Sequence, residues 1–288
     1  MASKLPAFTY SGTYTTMLKN GYWYIFFKTS GTLKMTYGKT AEVYLHGGGG
    51  GGGRGYGGGG GGGGYFATHT DVWIESGKPY DIVVGGGGSK SYAWSVNGGD
   101  GGASSAFGFS ADGGKGGSQG GNGAGGAGGS GSGGWGGGAT GGWGGNGENN
   151  TTYAFNDSSC GLIYGGGGAG GAPDQGGGGG AGSPYGAQGG QSAGANTGGG
   201  AGGGQYYNGD FGTEQTDGGT GGSGIVILRS TQDDQLPVTF NGKTLQRMTF
   251  NGSEVRKLVF NGTQIFMERM RRWFERLRQK MRFELHAV

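Results

Sequence analysis

The chain opens with short runs of apolar and polar residues at strand spacing. "AFTYSGTY", "GYWYIFFKTS", "GTLKMTYG" and "AEVYLH" are rich in aromatic and β-branched residues and are separated by Ser-Gly, Asn-Gly and Tyr-Gly steps. This pattern predicts an N-terminal β-strand region over residues 1–46. Asn20-Gly21 is the signal of a two-residue hairpin turn, because both positions tolerate positive φ. In "TAEVYLH", Val43 and Leu45 alternate with Tyr44, as in a half-buried strand. "DVWIESGKPYDIVV" reads as a further hairpin turning at Ser76-Gly77-Lys78-Pro79. Ile225 to Leu228, in "GGSGIVILRS", reads as one more apolar strand.

Between these strands the pattern vanishes. Glycine makes up 85 of the 288 residues and dominates 47–224. Two readings compete. One is a flexible, solvated linker. The other is a bundle of packed polyglycine-II helices, with three residues per turn and no internal hydrogen bonds. Glycine lets such helices approach closely enough for backbone groups to bond across to neighbours. The packed reading is favoured, because the tracts recur many times and are interleaved with Trp, Tyr and Phe. It predicts that "GGGGGGG" after His46 and "GGGGGGGG" before Tyr65 are ordered, with Arg54-Gly55-Tyr56 turning the chain between them. The glycine-rich domain is expected over 47–230.

Periodicity returns near the C-terminus. "VTFNGKTLQRMTFNGSEVRKLVFNGTQIF" places Phe-Asn-Gly at 240–242, 250–252 and 260–262, and predicts a ten-residue β-repeat over 231–264. Residues 265–288 lack Gly and Pro. Met267, Met270, Phe274, Leu277 and Met281 follow 3-4-3-4 spacing over about two heptads, which predicts an amphipathic α-helix. It could pack on its own domain, form a coiled coil or docking contact, or lie on a membrane surface with Trp273 and Phe274 as anchors.

Composition narrows the function. A collagen triple helix needs a strict G-X-Y period, which runs of seven and eight glycines break. The aromatic content of 12% is too high for a simple disordered tail. Net charge is +3, but unevenly placed: residues 1–46 sum to +4, 47–224 to −7 and 265–288 to +4. A mildly acidic glycine body does not suit nucleic acid, which needs a basic surface. Cys160 is the single cysteine, so no disulfide framework or CxxC metal site exists. No stretch has the apolar length of a signal peptide or a membrane span. The chain is expected to be made in a cytoplasm and to leave by lysis or within an assembled particle. His46, His69 and His286 are far apart in sequence, and no nucleophile, phosphate-loop or EF-hand spacing is present. Neither catalysis, a metal nor a cofactor is expected. Recognition by polar aromatics on a glycine scaffold is the alternative to chemistry. Candidates are Trp135, Trp143, Tyr153, Phe155, Tyr185, Tyr206, Tyr207 and Phe211, each of which could instead plug an end of the bundle.

The ordered series "FTYSGTY", "GYWYIFFKTSGTL", "AEVYLHGGGGGGG", "SSAFGFSADGGKGG", "YGGGGAGGAPDQGGGGGAG", "ANTGGGAGGG" and "GGSGIVILRS" resembles the glycine-rich domain of tailed-bacteriophage tail-fibre and tail-tip proteins over about residues 7–230. The resemblance implies β-strands capping a polyglycine-II bundle, with loops at the bundle end that contact the host. It implies a virion protein of the tail that binds a bacterial surface receptor, a glycan or an outer-surface protein. Its partners would be other tail proteins, and a homotrimer follows from fibre analogy. A second expectation is a purely structural virion component, such as a baseplate or head-fibre subunit, with the glycine body as spacer. Ice binding by a flat glycine face is a third and leaves the aromatic loops and basic tail unexplained. The basic heptad segment departs from the tail adhesins, so their mode of attachment does not carry over.

Overall fold

The computed structural model describes residues 6–54, 58–93, 96–119, 139–140, 143–144, 147, 152–171, 186–187, 190–204, 206–209, 212–215, 217–231, 239–240, 243–250, 253–254 and 283–287. The chain divides into two units, 7–232 and 233–288 with 1–6. The first begins with β1 (Phe8–Tyr10), β2 (Tyr14–Lys19), β3 (Tyr22–Phe27), β4 (Gly31–Met35) and β5 (Lys39–His46). It continues with β6 (Phe66–Ile74), β7 (Pro79–Ile82), β8 (Ser104–Ala106) and β9 (Phe109–Ala111). Short pairs follow at β10 (Ala139–Thr140) with β11 (Trp143–Gly144), β12 (Thr152–Tyr153) with β13 (Ile163–Tyr164), and β14 (Tyr206–Gly209) with β15 (Gly212–Gln215). Strand β16 (Ile225–Thr231) closes the unit.

Strand β16 does not sit at an edge. It inserts between β3 and β5 in a five-stranded antiparallel sheet of order β2-β3-β16-β5-β6. That central place explains its continuous apolar run, since a strand covered on both faces has no polar side. Trp23, Ile25 and Phe27 of β3 alternate with Tyr24 and Phe26, and all five are buried. One set faces the three-stranded sheet β1-β4-β7, where Tyr10 meets Phe27 with ring centroids 4.7 Å apart. Tyr24 and Phe26 pack on the opposite face with Tyr44, Ile225, Ile227, Phe155 and Tyr164. Asn20 and Gly21 join β2 to β3 with φ of 51° and 77°, the turn expected of that dipeptide. The expected hairpin at 76–79 does not form. Strand β6 pairs β5, whereas β7 pairs β4 in the other sheet. Gly77, at φ 72°, donates its N–H to Met35 O and turns the chain from one layer to the next, so Ile74 and Ile82 each fill their own sheet.

The glycine segments continue from the sheet. Residues 47–53 leave β5 and are buried throughout. Their N–H groups follow a period of three. Gly47, Gly50 and Gly53 donate to Tyr65, Gly62 and Gly59; Gly48 and Gly51 to Gly102 and Gly99; Gly49 and Gly52 to Gly222 and Gly219, all at 2.8–2.9 Å. Their carbonyls accept with the same period. Gly48 and Gly51 receive Gly114 and Gly117, Gly49 and Gly52 receive Gly88 and Ser91, and Gly50 and Gly53 receive Ala201 and Gly204. Partner numbers fall along the first set and rise along the second. The segment is therefore ringed by three antiparallel and three parallel neighbours. A Cβ on Gly49 would sit 1.9 Å from Gly199 O, and one on Gly50 would sit 2.0 Å from Lys115 O. Only glycine permits that approach.

The second unit contains β17 (Thr239–Phe240), β18 (Lys243–Phe250), β19 (Ser253–Glu254) and β20 (Phe283–Ala287). The antiparallel pairs β17–β18 and β18–β19 lie within the Phe-Asn-Gly repeat. No α-helix forms among the described residues. The helix expected over 265–288 is not supported: its last described residues, 283–287, are a strand paired with β18, Phe283 opposite Phe250 and Leu285 opposite Met248. The alternation Phe-Glu-Leu-His-Ala carries the period of two that a strand needs, and the long β18 offers it an edge. Met267, Met270, Phe274, Leu277 and Met281 lie outside the described residues.

Candidate functional site

Two places in the first unit concentrate polar chemistry. The first is the joint where β5 becomes a glycine segment. His46 is fully buried there, between Tyr44 and Tyr164 and against Gly198. Its Nδ1 lies 2.9 Å from Gly47 O, and Nε2 has no hydrogen-bond partner among the described residues. Nδ1 therefore carries the proton of a neutral ring. Burial lowers the pKa to about 4, against a smaller opposing effect of the Gly47 carbonyl. Burial likewise pushes the Tyr44 hydroxyl well above its ordinary value.

Beside this joint, residues 154–160 form two tight turns laid on the sheet, the first with Phe155 and Asn156 at φ of 61° and 52°, the second a single turn of 3-10 helix. Arg229, on β16, holds them there. Its guanidinium pairs with Glu42 at 2.8 Å and Asp157 at 2.7 Å, and stacks over the rings of Phe155 and Tyr22. Burial works against the charge, but hydrogen bonds led by Glu42 keep the Arg229 pKa raised. Asp157 is held below the usual carboxylate range, chiefly by the Ser159 hydroxyl and also by Arg229. Lys19 Nζ donates to Cys160 O at 2.8 Å. The assembly is a clasp, with every charge spoken for. Phe155, expected among the recognition aromatics, is 6% exposed and packs on Tyr24 and Tyr44. It belongs to the core because Arg229 pins its turn inward. Cys160 is buried, its thiol 2.9 Å from Asp157 O.

The second is the far end of the glycine segments. Residues 54, 91, 118 and 204 close segments that run away from the sheet, and 58, 98 and 218 open segments that return. The side chains that follow or precede these points therefore gather together. Arg54 Nε lies 3.2 Å from Asp217 Oδ1, and Lys90 Nζ lies 3.2 Å from Asp217 Oδ2. Arg54 also donates to Tyr92 O. The Lys90 ammonium sits 5.1 Å from the centroid of the Tyr92 ring, which is 66% exposed. Gln119 N–H donates to Asn97 Oδ1 at 3.0 Å. Two cations thus share one carboxylate beside an exposed aromatic face. These groups suit contact with a polar surface.

A family model for the glycine-rich domain matches residues 28–231. The chain belongs to this glycine-rich domain family. No curated protein matches it. The matched span includes the far end and, of the clasp, Glu42, Phe155, Asp157 and Arg229; Lys19 and Tyr22 lie before it.

The expected recognition residues scatter over the domain. Tyr153 is 41% exposed in β12, on the sheet side. Trp143 lies in β11, paired with Thr140. Tyr206 and Tyr207 lie in β14, on a hairpin between a segment that reaches the far end and one that leaves it. Trp135, Tyr185 and Phe211 lie outside the described residues. Arg54, Lys90, Tyr92 and Asp217 were not among the candidates. The signal that finds them is their place: each flanks a glycine segment at the point where the chain reverses. Among the described residues, no group of three His, Cys, Asp or Glu is placed to hold a metal, and no helix is long and apolar enough to cross a membrane.

Proposed function

We propose that the chain is a tail-fibre or tail-tip virion protein of a bacteriophage that attaches the particle to a bacterial surface. In this reading the glycine segments are polyglycine-II helices, and their bundle is a rigid rod. The hydrogen-bond period of three around 47–53 supports that assignment, because a three-residue turn brings every third N–H to the same neighbour. A rod of this kind has two unlike ends. The sheet closes one, and the other presents Tyr92, Arg54, Lys90 and the β14–β15 hairpin. That asymmetry is the observation that carries the proposal: loops at the far end are displayed on a rigid support, where they can touch a receptor glycan or outer-surface protein. No catalytic step and no cofactor enters this role.

Labelled, purified chain is expected to bind the cells of susceptible strains and to reduce phage adsorption to them. Binding to no strain, with normal incorporation of the chain into particles, would instead favour a structural subunit whose glycine body is a spacer. One observation favours that second reading. Arg54 and Lys90 already satisfy Asp217, so the far end also works as its own cap.

A further inference from the structure

The five-stranded sheet has two edges, and they are treated differently. Edge β6 is blunted. Its pairing with β5 shifts register between Ala41 and Val43, Asp71 bends the strand at φ 58°, and the His69 ring is covered by Phe109 at 3.7 Å. Edge β2 has neither the register shift nor the bend, although Tyr14 packs edge-on against Phe8 and Tyr10. It runs six residues, "YTTMLK", with no Pro, no Gly and no bulge against β3. Its one charge, Lys19, is tied down on Cys160 O.

Which groups the edge offers follows from the hairpin. A two-residue turn makes Lys19 and Tyr22 a hydrogen-bonded pair, and Lys28 N–H donating to Thr13 O fixes the same phase at the other end. Residues 15, 17 and 19 therefore bond to β3. The N–H and C=O groups of Tyr14, Thr16 and Leu18 point away from the sheet, and no described residue takes them up. Their side chains share a face with Phe27, Ile25 and Trp23, which are buried. Tyr14 and Leu18 are each 42% exposed, so the apolar layer between the two sheets stays open along this strand.

We propose that β2 is an interface between two copies of this chain, paired antiparallel across a two-fold axis at Thr16. The strand complements itself in that register. Tyr14 falls opposite the partner's Leu18, an aromatic–aliphatic pair, and Thr16 opposite the partner's Thr16. Met17 meets the partner's Thr15, and Lys19 meets the partner's Thr13, so no like charges face each other. The outward groups of 14, 16 and 18 become the hydrogen-bonded pairs of the new ladder. The two open apolar margins close on each other. A C2 contact requires this kind of self-match, and a shift of one residue in the strand would lose it.

The full chain is expected to sediment as a monomer–dimer equilibrium that moves to twice the chain mass with concentration. Thr16→Pro removes an outward N–H while leaving the bonds to β3, as proline on an edge strand can. That variant should remain folded and monomeric. Thr16→Cys should form a disulfide-linked dimer under mild oxidation, because a hydrogen-bonded cross-strand pair has Cα atoms roughly 5.5 Å apart, within disulfide range. Thr15→Cys has no copy of itself opposite and should not cross-link; the buried Cys160 should be silent in both. A wild-type chain monomeric at all concentrations overturns the proposal. So does association that Thr16→Pro leaves unchanged, or cross-linking no greater for Thr16→Cys than for Thr15→Cys. If Thr16→Pro unfolds, the cysteine pair decides alone.

Discussion

Val43 to Gly53 is one unbroken run of buried backbone, yet its halves are buried in different ways. In β5, Val43, Tyr44 and Leu45 fill the space beside the sheet, and the backbone bonds to two neighbours, β16 and β6. After His46 there are no side chains, and the backbone bonds to six neighbours. The sheet keeps its layers about 10 Å apart and fills the gap with apolar volume. The glycine body brings backbones into contact and has no gap to fill. Ordering each glycine costs about 1–2 kcal/mol of backbone entropy, and glycine sits at the high end. A net gain of about 0.5–1.5 kcal/mol per hydrogen bond offsets this only when nearly every N–H and C=O is used. The period of three uses them: each N–H from Gly47 to Gly53 has a partner. The sheet should therefore tolerate small changes of volume, and the glycine body almost none.

Gly49→Ala tests the hardest limb of that comparison. The new methyl would fall 1.9 Å from Gly199 O, which is itself held by the N–H of Gly222 at 2.9 Å. Neither atom can yield without breaking the ladder. The expected loss exceeds about 4 kcal/mol, in the range reserved for a gross clash. It should be seen as failure to recover folded protein, or as a large drop in melting temperature. A variant that melts within a few degrees of wild type would mean that the segments have room to separate.

Acid tests the joint between the two regions. His46 has a folded pKa of about 4, below the ordinary 6.5. The unfolded chain takes the proton first, so the group's stabilisation is full above pH 6.5 and is lost as pH falls toward 4. The loss amounts to about 3 kcal/mol over that window. His46→Leu keeps the apolar setting and removes the titration. Its melting temperature should fall less between pH 6.5 and 4 than that of the wild type. Parallel curves would show that the ring is reached by solvent and is not held neutral.

The joint also marks how far the sequence could be read. The Asn20-Gly21 turn, the strand at Ile225–Leu228 and the packing of 47–53 against other glycine segments all follow from local chemistry. Which strands become neighbours does not. Strand β16 is 179 residues from His46 along the chain yet pairs with β5, and β7 leaves the hairpin for another sheet because Ile82 has a second layer to fill. The far end escaped for the same reason. Arg54, Lys90 and Asp217 are scattered in sequence and meet only because three glycine segments end at one level. One pattern was legible in principle. Asp112, Lys115 and Ser118 recur every third residue, while Gly114 and Gly117 between them are buried, as a three-residue turn requires of an outer segment. At 283–287 a heptad extrapolated from 267–281 yields to a period of two that was present in the residues themselves.

Within the sheet, removing a methylene should cost little. Ile227→Val takes one from a fully buried side chain between Tyr44 and Phe26. The expected loss is about 0.5–1.5 kcal/mol, measured by chemical denaturation. A cost near that of Gly49→Ala would erase the distinction between the two regions.

The smallest effect separates glycine needed for contact from glycine that merely continues a pattern. Gly86 is exposed, and a Cβ built on it meets nothing within 4 Å. Its φ is not in the left-handed region. Its carbonyl still accepts the Gly102 N–H at 2.8 Å, and alanine leaves that bond intact. Alanine there narrows the unfolded ensemble without straining the folded one, so Gly86→Ala should stabilise by about 0.4–1 kcal/mol, a rise of about 2 °C in melting temperature. Gly86 and Gly49 are thus the same residue in the same body, with effects of opposite sign set only by what stands opposite the missing Cβ. If Gly86→Ala destabilises as Gly49→Ala does, close approach is not the reason for the glycine, and the requirement lies in the backbone conformation of the segment itself.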